Sequence, residues 1–131
     1  MVAVMLMASC SKDNDELIVG KWRIQSLEGL AAINDGSGNV QTDEIVYVDH
    51  WGWVFNADGT GYAYQIVDDR ENVTGQFNYS IDDETLHMNY VDYHIEKLNR
   101  NKLRLSDKVS ITDADGNFLR YEYVYRNFKR Q

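Results

Sequence analysis

The sequence predicts an all-β fold: an up-and-down antiparallel β-barrel of about eight strands, with one short helix after the first strand. Three observations carry this. Runs rich in β-branched and aromatic residues recur along most of the 131-residue chain. Turn signals separate them: ADGTG at 57–61, DDREN at 68–72, DDE at 82–84, NRNK at 99–102 and DADGN at 113–117. Asp-Gly and Asn-rich clusters supply positive φ or side-chain-to-backbone bonds at turns. Finally, several runs alternate at period two. The clearest is the last, where Leu119, Tyr121, Tyr123 and Tyr125 alternate with Arg120, Glu122 and Arg126. Such a strand needs one apolar and one wet side, and closing the sheet removes its exposed edges.

The chain opens with MVAVMLMAS, apolar, uncharged and too short to span a bilayer. It is similar to the end of a secretion signal's hydrophobic region. MASC, with Ala8 and Ser9 before Cys10, resembles a bacterial lipobox. That resemblance implies a signal remnant at 1–9, lipid on Cys10 and a flexible tether over 10–18. The acidic SKDNDE that follows is similar to the signal that sends some bacterial lipoproteins to the outer face of the outer membrane. The barrel domain is then expected over 19–131. Cys10 is the only cysteine. This excludes an intrachain disulfide and a multi-thiolate zinc site. On a tail with no neighbouring histidine, Cys10 is not read as a nucleophile.

The first strand is expected at KWRIQSL (21–27). SLEGLAAIN (26–34) has the only helical character, with Ser26 as cap and Gly36 near its end. With DGSGNVQTD it makes a long connection, and residues 28–43 are the candidate lid. EIVYVDHWGWVFN (44–56) is expected as one strand bent at Gly52. GYAYQIV (61–67) and VTGQFNYSI (73–81) follow, the latter with Phe77, Tyr79 and Ile81 on one side. TLHMNY (85–90) puts Leu86, Met88 and Tyr90 together. YHIEKL (93–98), KLRLS (102–106), a short KVSIT (108–112) and FLRYEYVYRNF (118–128) complete the set.

A net charge of −8 argues against nucleic-acid binding and against adsorption to anionic headgroups. The glycine of DADGN comes too early for a calcium loop, so this stretch reads as a hairpin turn. His50, His87 and His94 lack ligand-like spacing, and no metal or cofactor is expected. There is no Gly-x-Ser-x-Gly, phosphate loop or cleft carboxylate pair, so no enzyme activity is expected.

The order of motifs resembles the bacterial lipocalin-like lipoproteins. LIVGKW (17–22) is similar to the Gly-x-Trp opening of lipocalins. It is followed by Phe55, Asp58, Gly59 and Gly61, then by Phe77, Tyr79, Ile81 and Leu86, then by Lys97, Leu98, Leu103 and Leu105. The resemblance implies a barrel floor of Gly20 and Trp22, with Arg126 as the cation–π partner of Trp22. It also implies a cavity. The candidate lining is aromatic but for one methionine: Trp51, Trp53, Tyr62, Tyr64, Phe77, Tyr79, Met88, Tyr90, Tyr121, Tyr123 and Tyr125. Such a lining suits a small apolar or amphiphilic ligand. The reading is therefore a non-catalytic, lipid-anchored envelope protein. The alternative is a filled barrel acting through its loops on a protein partner.

Overall fold

The computed structural model describes residues 13–29 and 45–131. Residues 1–9, Cys10, the expected helix beyond residue 29 and most of the candidate lid lie outside the described residues. Among the described residues helix α1 (Asp13–Leu17) comes first, and nine strands follow: β1 (Gly20–Gly29), β2 (Ile45–Tyr47), β3 (Trp51–Phe55), β4 (Thr60–Val67), β5 (Arg70–Asp82), β6 (Thr85–Met88), β7 (Val91–Leu98), β8 (Lys102–Thr112) and β9 (Phe118–Arg130). All neighbours pair antiparallel, and β1 also pairs with β9. Strands β1 and β3–β9 thus form a closed eight-stranded barrel, with β2 as an added short strand.

Several boundaries differ from expectation: the β9 ladder joins KLRLS and KVSIT into the single strand β8, and β5 begins at Arg70, inside the expected DDREN turn. The tether does not run to residue 18, because α1 is helical and Ile18 is fully buried in the core. Residues 26–29 extend β1 rather than start a helix. The β9 ladder takes their backbone groups, with Ser26 opposite Asn127 and Gly29 opposite Val124. The described helix therefore precedes the first strand. The expected strand over 44–56 is interrupted at 48–50, not at Gly52. There β1 carries an irregularity between Ile24 and Ser26, and the chain reattaches through the Val48 amide to the Gln25 carbonyl (3.0 Å). Gly52 instead sits within regularly paired β3, where an added Cβ would lie 2.1 Å from the Trp22 carbonyl and 2.4 Å from the Tyr64 hydroxyl.

Hairpins set the register. Asp68 and Asp69 both have positive φ (52° and 61°), as a two-residue turn of the primed type demands. The DADGN turn closes as expected. The Asp113 carboxylate accepts the Asp115 and Asn117 amides at 2.9 Å each, and Gly116 supplies φ +86°.

The barrel has a closed floor. Trp22, Ile24, Phe55, Leu86, Leu103 and Phe128 are all nearly or wholly buried at or near this end, with Ile18 beneath them. The Trp22 indole N–H donates to the Ile18 carbonyl at 2.8 Å. Asn14 of α1 ties to the Asp83 carbonyl at 3.2 Å. The arginine over Trp22 is Arg130, not Arg126, its guanidinium 4.3 Å from the ring. It also donates to the Val19 carbonyl at 2.8 Å and to the Leu17 carbonyl. The physical reason is register: Trp22 pairs with Arg130, whereas Arg126 lies further up β9 opposite Leu27 and Leu105.

Candidate functional site

Side chains in directly opposed cross-strand positions share a side of the sheet, so the ladders sort the aromatic residues. On β3, Trp51, Trp53 and Phe55 all point inward. Trp53 is the hub: its ring lies 4.9 Å from Phe128, 5.7 Å from Trp51, 5.7 Å from Tyr93 and 6.4 Å from Phe77. Phe77, Tyr79 and Met88 also point inward, on β5 and β6. Tyr79 belongs to the floor end, where its hydroxyl donates to the Asn56 carbonyl at 2.6 Å.

The other expected lining residues lie elsewhere. Tyr62 and Tyr64 alternate with inward Gly61 and Ala63, so both stand on the outer side. Tyr64 lies across Gly52, donates to the Trp22 carbonyl at 3.1 Å and is covered by Lys21, 5.0 Å from its ring. Tyr90 is fully exposed beside a turn. Tyr121, Tyr123 and Tyr125 are outward too. Arg104 stacks on Tyr125 and Lys108 on Tyr121, each at 4.3 Å. The inward set of β9 is Arg120, Glu122, Val124, Arg126 and Phe128. The period-two alternation of β9 holds, but its inner side is the charged set and its outer side the tyrosines. Basic side chains of β8 give the tyrosines an outer apolar shelf, and ion pairs make the charged set tolerable inside.

Towards the end opposite the floor, the interior is less filled. Trp51 and Trp53 point inward yet are only half-buried. Beside them on the same wall are small residues: Trp53 pairs with Ala63, and Ala63 with Gly75. A Cβ built on Gly75 meets nothing within 4 Å. On the opposite wall Arg126 pairs with Asp107, their side chains 23% and 21% exposed. The Arg126 guanidinium lies 5.3 Å above the Tyr93 ring. Burial pushes the Tyr93 hydroxyl above the ordinary tyrosine value, countered in part by Arg126. The phenol is thus a neutral group at physiological pH. Together these residues mark a candidate cup, with a wall of indoles and small residues and a charged wall across from it.

The described clefts outside this cup are shallow and on the surface. The largest, about 630 Å³, lies over the β2–β3 interruption and is lined by Arg23, Gln25, Tyr47, Asp49 and Lys129, among others. His87 faces outward and meets Asp92 at 2.6 Å. His94 lies 3.8 Å from Glu84 and 3.9 Å from Glu96. Among the described residues no group of three or more metal-type ligands comes together.

A family model for the lipocalin-like domain matches residues 18–105, from the floor isoleucine to the inward leucine of β8. The chain belongs to the lipocalin-like domain family. No curated protein matches it. In this lipocalin-like domain the barrel is of the type that binds ligands. The matched stretch carries the floor tryptophan and the indole side of the cup. It ends before Asp107 and Arg126, so the charged side is built by β8–β9 residues beyond it.

Four residues of the cup escaped the sequence reading: Ala63, Gly75, Tyr93 and Asp107. A signal for Asp107 was present. It continues the inward series Leu103, Leu105 at period two. Arg130 was likewise reachable, since it continues Val124, Arg126, Phe128.

Proposed function

We propose that this chain is a lipid-anchored bacterial envelope protein whose barrel holds a small apolar or amphiphilic molecule without performing chemistry on it. One observation carries the binding part. Trp51 and Trp53 point into the barrel, remain half-exposed, and stand beside Ala63 and the unfilled space over Gly75 on the same wall. Interior indoles that stay accessible are where an apolar body gains most by leaving water.

The anchor part is supported by the MASC sequence and by where the chain enters the fold. Cys10 stands three residues before α1, which sits against the floor. A three-residue link reaches about 10 Å at most. An anchor there would hold the floor against the membrane, with the cup opening away from it.

Native mass spectrometry of the chain, after incubation with a lipid and metabolite extract from bacterial envelopes, tests binding. An added mass that disappears in Gly75→Phe, whose ring would occupy the open space, supports the cup. An unchanged protein mass in repeated extracts rejects it and favours the second reading, a module acting on a protein partner. That reading is favoured by the exposed Phe118, Leu119, Tyr121 and Tyr123 on the β8–β9 hairpin.

A further inference from the structure

The charged side of the cup is unusual for a site meant to hold an apolar body. Removing an ion pair from water costs free energy that the pair's own attraction need not repay. Arg126 and Asp107 nevertheless face the interior, on adjoining strands, between the core residues Leu105 and Val124. One step further up, the inward Glu122 is matched by Arg120 at 2.6 Å. Each positive charge on this wall has a negative one beside it, so the wall is polar but carries no net charge.

That balance constrains what the wall accepts. The guanidinium has five N–H donors and the carboxylate about four acceptor positions. The Arg126–Asp107 contact runs through one guanidinium nitrogen and one carboxylate oxygen, which leaves both donors and acceptors for a guest. A hydroxyl or amide can donate to Asp107 and accept from Arg126 while the pair stays intact. A carboxylate that reached Arg126 would sit against Asp107. An ammonium that reached Asp107 would sit against Arg126. For a partly buried pair such like-charge contacts are costly. Beside the pair, the Tyr93 and Trp53 rings, 5.7 Å apart and tilted by 50°, supply an apolar bed.

We infer that the cup selects an uncharged amphiphile, an apolar ring or chain bearing a hydroxyl or amide, and that the Arg126–Asp107 pair is the selecting element. This rests on the cup being a binding site, as proposed above.

The test uses the full chain and three probes with one body: naphthalene bearing a hydroxymethyl, a carboxylate or an aminomethyl group. Near pH 7 the second is anionic and the third cationic. Binding is read by quenching of tryptophan fluorescence. The wild-type chain is expected to bind the alcohol about tenfold more tightly than either charged probe. Asp107→Asn leaves an unopposed cation and should move the preference to the carboxylate. Arg126→Gln leaves an unopposed anion and should move it to the amine. Thermal unfolding of both variants checks that they fold, and the wild-type ordering decides alone where one does not. Equal affinity for all three probes overturns the selection while leaving the cup as a binding site. Failure of all three to bind overturns the cup itself.

Discussion

At the scale of single residues, Trp22 and Tyr64 are each held by two kinds of contact. The Trp22 ring is wholly buried, capped by Arg130 and anchored by its N–H to the Ile18 carbonyl. Trp22→Ala should therefore cost about 3–5 kcal/mol in urea unfolding, and a loss below about 1 kcal/mol would remove it from the floor. Arg130→Ala should lower stability further than removal of an exposed arginine does, since the carbonyls of Leu17, Val19 and Arg100 all lose a charged donor. Tyr64 gives a pH signature. Burial, with Glu71 nearby, pushes its hydroxyl from 10.0 up to about 12. A native pKa above the unfolded one adds stability in full below pH 10.0, and this is lost as pH rises towards about 12. Wild type should accordingly lose of the order of 2 kcal/mol over that window. Tyr64→Phe should start less stable and show a flatter alkaline limb, and an equally steep limb in the variant would contradict the assignment.

At the scale of elements, legibility followed local chemistry. The hairpins were readable because Asp-Gly and Asn-rich turns act within a few residues: DADGN and the Asp68–Asp69 turn close where expected. The order of strands followed from them. What could not be read was which side of a strand faces in, because alternation fixes two sides without labelling them. On β9 the tyrosines look like the core side. The label is set by non-local partners, Arg104 and Lys108 outside and Asp107 inside. The β2–β3 interruption was equally hidden, since it answers an irregularity in β1 some two dozen residues earlier. Glycine in these strands makes the point testable. Gly52→Ala drives a methyl into the Trp22 carbonyl and the Tyr64 hydroxyl and should destabilise by more than about 2 kcal/mol. Gly75→Ala meets nothing and should be neutral or stabilising by up to about 1 kcal/mol. Equal costs at the two sites, measured by denaturant unfolding, would refute both the tight outer crossing and the open interior.

For the whole molecule, the floor and the cup divide the work. The floor gathers the fully buried side chains and the arginine clasp at the end where the chain enters, and the cup lies at the other end. The proposed anchor on Cys10 acts only through the floor end, because α1 and Ile18 join the tail to the barrel there. Anchoring and binding should then be separable. In a bacterial host that processes lipoproteins, Cys10→Ala should shift the protein from the membrane to the soluble fraction. The same variant should bind the cup probes with affinity within about twofold of the anchored protein in detergent, a difference of about 0.4 kcal/mol. Retention of the variant on membranes would show that something other than Cys10 holds it there. Loss of binding on release would mean that the membrane takes part in forming the site, against a cup that opens away from it.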